Sequence, residues 1–338
     1  MKKPKIQQTV LVDQRRRQLL LTASAAAMGA AAFPAFAQQG YPNKVIRWIV
    51  PYTAGGATDL VARLAGEALG NALGQRVIID NKPGAASTLG IGQMAVSAPD
   101  GYTLATADNA ALFNNWHLFG KLPYGPDSFE YVAPLMQAPL VLALAPNVPA
   151  ATFQEWVTWA KQNTGKVNYG TPGIGSPHHL AMALLNDRLT LGLQHVPYKG
   201  DSAAVADVVS GVLSCMLMGV ATARQYVKEG RLRLIAINWP HRLESLPDVP
   251  TLAEVGVKNF EISAEQAVLA PAGTPKEIVG RLNREIIAAM NSPALKERLE
   301  VLGIFPPVTR TPEELRAYVR RQAAIAGEVI KRNGITLN

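Results

Sequence analysis

Short apolar runs alternate along the chain with segments in which apolar residues recur every three or four positions. The runs that read as strands are VIRWIV (45–50), RVIID (76–80), YTLATA (102–107), PLVLALA (139–145), KVNYGT (166–171), LQHVPY (193–198), LSCMLM (213–218), LRLIAIN (232–238) and ISAEQAVLA (262–270). Short aliphatic and β-branched runs bounded by turn residues fit buried strands. The gaps carry helical period, and several open on their own start signal: Thr152 with Glu155, Thr274 and Pro275 with Glu277, Thr311 and Pro312 with Glu314. This spacing is that of a capping box, with proline allowed where the first amide would be unpaired anyway. Gly211, Gly230 and Gly334 suit helix ends. Strand and helix in alternation predict an α/β protein with parallel sheets covered by helices.

Two such units exceed one comfortable core, so the pattern predicts two lobes with a cleft between them. PLVLALAPNVP ends in prolines before a freshly capped helix, and ISAEQAVLAPAGTP does the same on the return. The chain is therefore expected to cross between lobes near 143–147 and 260–268. Residues 38–145 begin the first lobe, 146–262 form the second, and 263–338 complete the first with the C-terminal helices.

Composition changes the picture mainly at the start. The chain has 338 residues and is 48% hydrophobic, enough for a large core. Residues 1–37 have a basic beginning, an apolar run over 19–32, and Ala35 and Ala37 at A-x-A spacing, which reads as a secretory leader cleaved after Ala37. The run is shorter than the ~20 residues that span a bilayer. Arg16 and Arg17 stand one residue before a leucine pair, as in twin-arginine signals. The leader carries six basic residues against Asp13, so +5 of the formal +8 leaves with it and about +3 remains. That balance argues against nucleic acid as a partner. The single cysteine, Cys215, has no disulfide partner within the chain and sits in an apolar stretch that favours a buried, inert thiol. No cysteine stands at the cleavage site to take a lipid. A periplasmic protein without a lipid anchor is expected.

Candidate chemistry lies where strands meet helices. In VPYTAGGATDL (50–60), Gly55 and Gly56 let backbone approach a ligand, and a helix starting near Thr58 offers unpaired amides to an anion. In open α/β sheets, ligands sit beyond the carboxyl ends of strands. NKPGAASTLG (81–90), YGTPGIGSPHHLAMALL (169–185) and VPYKGDSAAVADVV (196–209) repeat the device, two junctions in each lobe. Any one alone reads as turn chemistry; four together favour a small anion held between the lobes.

Other motifs carry less. GGATDL lacks the lysine and spacing of a phosphate loop, and GIGSP is not a hydrolase G-x-S-x-G elbow. His178 and His179 are adjacent, about 100° apart on a helix, a poor arrangement for one metal. Asp59 is either a general base or a residue favoured by the helix dipole.

At these residues the sequence closely resembles the Bug family, periplasmic substrate-binding proteins related to the tripartite tricarboxylate transporter receptors. VPYTAGGATDLVAR, NKPGAASTLG, APDGYTLATAD, VNYGTPGIGSPHHLA, VPYKGDSAAVADVVSG, LPDVPTLAEVG, APAGTP and TPEELRAYV look like family motifs in family order, covering essentially the whole mature chain. The resemblance implies a type II periplasmic-binding-protein fold closing over a small carboxylate, with loop amides and ordered water as the binding groups. Thr53 and Ala54 stand where the family usually has prolines, Ala86 and Ser87 where it usually has glycines. The acidic residues common near Ser214 and Met218 are absent, and so is a tryptophan before Pro271. Such losses disfavour an ammonium group and hence amino acids as ligands.

The resulting expectation is a solute receptor that closes by a hinge and serves a membrane transporter as a monomer, with no reaction, cofactor or metal. The expected ligand-binding set is Tyr52, Thr53, Gly55, Gly56, Thr58, Asp59, Gly84, Ala85, Ala86, Ser87, Asp108, Asn109, Thr171, Gly173, Gly175, Ser176, His179, Tyr198, Lys199 and Met218. Two rivals stay open: a ligand sensor docking on a sensor-kinase ectodomain, and a periplasmic hydrolase using His179 with Ser176 or Asp59.

Overall fold

The computed structural model describes residues 40–338 apart from 199, 261, 302, 307, 309 and 338. The expected leader, its cleavage site and Lys199 lie outside the described residues. Lys44–Asn338 form the compact unit that carries every element below.

The first half builds β1 (Ile46–Val50), α1 (Ala57–Leu73), β2 (Val77–Asn81), α2 (Thr88–Ala95) and β3 (Thr103–Asp108). A five-residue π-helical turn, Ala110–Asn114, then runs into the short helix α3 (Asn115–Leu118), followed by β4 (Phe129–Ala138). The second half builds β5 (Leu140–Leu144), α4 (Phe153–Gln162), β6 (Asn168–Thr171), α5 (Pro177–Leu189), β7 (Gln194–Pro197), α6 (Asp201–Ser210), β8 (Cys215–Gly219), α7 (Val220–Lys228) and β9 (Arg233–Asn238). The chain returns through β10 (Ala264–Pro271), α8 (Lys276–Met290), α9 (Pro293–Val301) and α10 (Pro312–Arg332).

Among the described residues the strands form two five-stranded sheets, ordered β2-β1-β3-β10-β4 and β7-β6-β8-β5-β9. Each holds four parallel strands and one reversed strand, β10 in the first and β5 in the second. The reversed strand is the one that arrives from the other lobe. β4 leaves its sheet at Ala138, and after Pro139 alone the chain begins β5, whose Leu140 lies opposite Gly219 and Asn238. A strand that enters at the carboxyl ends of its neighbours must run against them.

The sequence expectation needs three corrections here. The sheets are mixed rather than parallel, because of the arriving strands. The first crossing lies at Pro139, not at 143–147, so PLVLALA belongs to the second sheet instead of closing the first. The pattern also missed β4. Pro134 interrupts that run, yet it is tolerated because β4 is an outer strand and its pairing with β10 is irregular beside Pro134.

Near-continuous apolar strands follow from burial on both faces. β5 is buried throughout, and in β1 only Arg47 reaches partly to solvent, where it meets Asp80. Trp48 is fully buried, its Nε1–H donating to Thr106 Oγ1 at 2.8 Å on β3, which satisfies the indole inside the core. Helix starts follow the sequence at two places: Thr152 caps α4, and Thr311 with Glu314 forms a complete capping box on α10.

One close contact sets where α2 stands. A Cβ on Gly90 would lie 3.0 Å from Lys82 O and 3.2 Å from Pro51 Cα, both backbone atoms at the ends of β2 and β1. Gly90→Ala is expected to push α2 outward and destabilise the fold by about 1–3 kcal/mol, measured by urea unfolding.

Candidate functional site

The register places the crossings at the carboxyl ends of the parallel strands: Ala264 faces Ala138, Gln266 faces Asp108, and Leu140 faces Gly219. The loops that follow β1, β2, β3, β6, β7 and β8 therefore all emerge on the crossing side. The four glycine junctions of the sequence are among them.

In the first lobe, the loop after β1 is held by side chains that point inward. Asp59 is 3% exposed and its carboxylate is fully engaged: Arg63 donates twice, at 2.9 Å each, and Gly55 N–H and Asn81 Nδ2 donate at 2.9 Å. Burial alone would raise this carboxyl, but the Arg63, Gly55 and Asn81 hydrogen bonds hold it down at about 2. Tyr52 O–H donates to Asp108 Oδ2 at 2.5 Å, and burial pushes both the phenol and the Asp108 carboxyl up. Asn109 donates to Ser263 O and accepts from Glu265 N–H, tying the end of β3 to the returning chain. Thr58 Oγ1 accepts from Gln266 Nε2 at 2.7 Å. Thr53, Gly55 and Gly56 stay exposed, and a Cβ on Gly55 would meet nothing within 4 Å.

The loop after β2 has an unusual backbone. Gly84 has φ +139°, and Ala85, Ala86 and Ser87 follow at +46°, +48° and +70°. Three successive non-glycine residues thus occupy the left-handed region, where a Cβ crowds the following carbonyl. The Ala86 carbonyl is secured by Asn115 Nδ2 at 2.9 Å and by the Ser87 hydroxyl.

In the second lobe, Gly173 (φ +150°) and Gly175 (φ +76°) shape the loop after β6. Ser176 Oγ donates to Gly173 O at 2.8 Å and accepts from His179 N–H, which caps α5. His179 points inward: its Nδ1 accepts from Gly175 N–H, and its ring stacks at 3.7 Å on His195, which stacks in turn on Tyr169. Burial and the neighbouring ring hold His179 down at about 3, and burial holds His195 at about 4, so both are neutral at pH 7. Thr171 is fully buried and its hydroxyl meets His195 Nε2 at 2.7 Å. The Tyr198 hydroxyl donates to Asp207. His178, the neighbour left unassigned by helical spacing, is mostly buried near Asp201, and its Nδ1 has no partner among the described residues.

The two lobes touch at this loop. Asn114, fully buried in the π-helical turn, donates to Gly175 O at 2.7 Å, and a Cβ on Gly175 would lie 2.3 Å from Leu118 Cδ1. Sequence reasoning missed Asn114, His195 and Gln266; none belongs to a motif that would mark it. The Gln266 Oε1 is buried without a partner among the described residues.

Most helices that begin here lack a side-chain cap; α5, capped by Ser176, is the exception, and α8 elsewhere is uncapped too. Among the described residues, no side chain caps α1 at Gly56, α2 at Ser87, α6 at Gly200 or α7 at Gly219. The first amides of a helix lack intrahelical acceptors and carry the positive end of its dipole. Both lobes therefore direct bare amide groups toward the crossing side.

Two expectations change. Met218 is 1% exposed inside the second lobe's core, so it is no wall of an open cleft. Ser214 lies before the other end of β8 and bonds Asn168. Cys215 is buried, and burial pushes its thiol up to about 12, as suits an inert core residue.

The Asp59 carboxyl lies below its ordinary 3.8 in the folded chain, so its stabilisation is present above about pH 4 and is lost as pH falls toward 2. Asp59→Asn is expected to cost about 2 kcal/mol at pH 7, a difference that shrinks over that interval in urea titrations. Ala86→Gly is expected to add about 1 kcal/mol by relieving one left-handed position, read in the same assay.

Comparison with known proteins agrees with this geometry. Residues 61–335 match the model of the tripartite tricarboxylate transporter family receptor. BugT of Bordetella pertussis is 32% identical over 299 residues, covering 88% of this chain and 91% of that protein. MatC (Rpa3494) from Rhodopseudomonas palustris, solved with bound malate, superposes with a TM-score of 0.73 at 31% identity, covering 86% of this chain and 100% of that one. R. palustris Rpa4515, solved with adipate, gives 0.77 at 28% identity over 88% and 100%. The two-lobed α/β fold with reversed crossing strands, and the family model matched along most of its length, make this chain a member of the tripartite tricarboxylate transporter receptor family.

Proposed function

We propose that this chain is a periplasmic receptor that closes on a small dicarboxylate between its lobes and delivers it to a membrane transporter of the tripartite tricarboxylate type. The observation that carries the proposal is the set of uncapped helix starts at the carboxyl ends of strands in both sheets. Amides fixed at helix starts are suited to carboxylate oxygens, and they need no charged side chain. Arg63, the cation beside the first loop, is already committed to Asp59. Malate and adipate in the two R. palustris relatives support a dicarboxylate as the ligand class.

Export to the periplasm rests on the leader pattern of residues 1–37. No described helix is long and apolar enough to cross a membrane.

The arrangement also speaks against hydrolysis. The Ser176 hydroxyl is turned to Gly173 O, and His179 Nδ1 is taken by Gly175 N–H. An imidazole held near 3 is a weak general base at pH 7. Asp59, the other candidate base, is saturated by four donors.

Isothermal titration of the mature protein with malate and adipate is expected to give one site per chain and no product. Binding of neither, or consumption of either, contradicts the proposal. Gly56→Asp sharpens the test. Gly56 has extended backbone, and its Cβ would meet only Thr53 O at 3.9 Å, so aspartate fits there as a good helix cap. The variant is expected to keep its thermal stability while losing dicarboxylate affinity at least tenfold, because its carboxylate occupies the amides and repels the ligand.

A further inference from the structure

A second cavity lies away from the glycine loops. Its volume is about 600 Å³, within the range of sites for small organic molecules. Gln137 and Asn238 place it at the carboxyl ends of β4 and β9, the outer strands of the two sheets. The crossing strands β10 and β5 stand between these strands and those that bear the glycine loops. The cavity is thus on the far side of the crossings, with walls from both lobes.

The lining is aromatic and cationic. Trp239 and Phe260 come from the segment that leads from β9 to β10, and Tyr318 comes from α10. Arg310 and Arg321 approach the Tyr318 ring at 3.9 and 5.7 Å from its centre. Neither guanidinium is held in an ion pair among the described residues. The one carboxylate lining the cavity, Glu265, is already answered from within: Ser263 Oγ donates to its Oε1 at 2.8 Å, Gln137 Nε2 at 3.1 Å, the Tyr318 hydroxyl donates to the same oxygen, and the Arg310 charge also favours its ionised form. The balance left to an occupant is positive.

Flat apolar walls with two guanidiniums outside any close ion pair select a flat apolar anion. The rings provide stacking area, and a guanidinium pairs with a carboxylate in planar, two-pronged fashion. We infer that this hinge-side cavity is a second binding site, separate from the cleft, for an aromatic carboxylate or sulfonate whose ring rests on Trp239 and Phe260 and whose charge meets Arg310 and Arg321. An occupant would touch both lobes at once, so its binding would be sensitive to their relative position.

The probe is 1-anilinonaphthalene-8-sulfonate, an aromatic anion whose fluorescence rises and shifts to the blue in apolar surroundings. Titration into the folded mature protein is expected to saturate at one molecule per chain. Arg321→Glu, at an exposed position that the core does not need, is expected to weaken binding about tenfold with unchanged circular dichroism; Arg310→Gln serves as the second variant. Gly56→Asp, which alters only the cleft, is expected to bind the probe as the parent does. The inference is overturned if the parent shows no saturable binding or several equal sites, if both arginine variants bind like the parent, or if Gly56→Asp abolishes binding.

Discussion

The reversed crossing strands are the constraint on which the rest of the molecule depends. Because β5 enters the second sheet from the carboxyl end of β4, and β10 enters the first from the side of β9, each arriving strand must run against its neighbours. The consequence is geometric. The carboxyl ends of eight parallel strands are turned toward the crossings, and with them every loop that leads from one of those strands into the following helix. A site between lobes is then built from helix starts, whatever side chains the loops happen to carry.

Polar side chains in these loops mostly serve the backbone. Asp59 gathers Arg63, Asn81 and the Gly55 amide; Asn109 joins β3 to the returning chain; Tyr52 and Asp108 satisfy one another. Each removes a charge or a hydroxyl from the surface that a ligand would meet. What stays exposed is mostly peptide, at Gly55, Gly56, Gly84, Ala85 and Ala86, with Thr53 beside it. Recognition by peptide groups is tolerant of ligand shape, and that fits a family whose solved members hold acids as different as malate and adipate.

Much of this was legible in the chain itself. The strand runs, the capped starts at Thr152 and Thr311 and the glycine junctions follow from local physics: hydrophobic period, caps and φ requirements, all read over a few residues. Most failures are tertiary, the exception being Thr274, whose hydroxyl donates to Pro271 O and leaves α8 without a side-chain cap. Pro139 as a one-residue crossing and β4 around Pro134 depend on which sheet a strand joins, and no local pattern carries that. Side-chain roles failed for the same reason. Asp59 and His179 have the residue types of a catalytic pair, but only the fold turns Asp59 onto Arg63 and lays His179 against His195. Asn114 and Gln266 gave no local signal because their partners, Gly175 and Thr58, are 61 and 208 residues away.

The claim that peptide amides do the binding is tested most directly by amide nuclear magnetic resonance of the isotope-labelled mature protein during titration with malate or adipate. The account predicts that the largest nitrogen and proton shifts fall on the amides of Gly56, Ala57 and Thr58 in one lobe and of Asp201, Ser202 and Val220 in the other. Saturable binding that leaves these amides unmoved, with its shifts concentrated elsewhere, would contradict it.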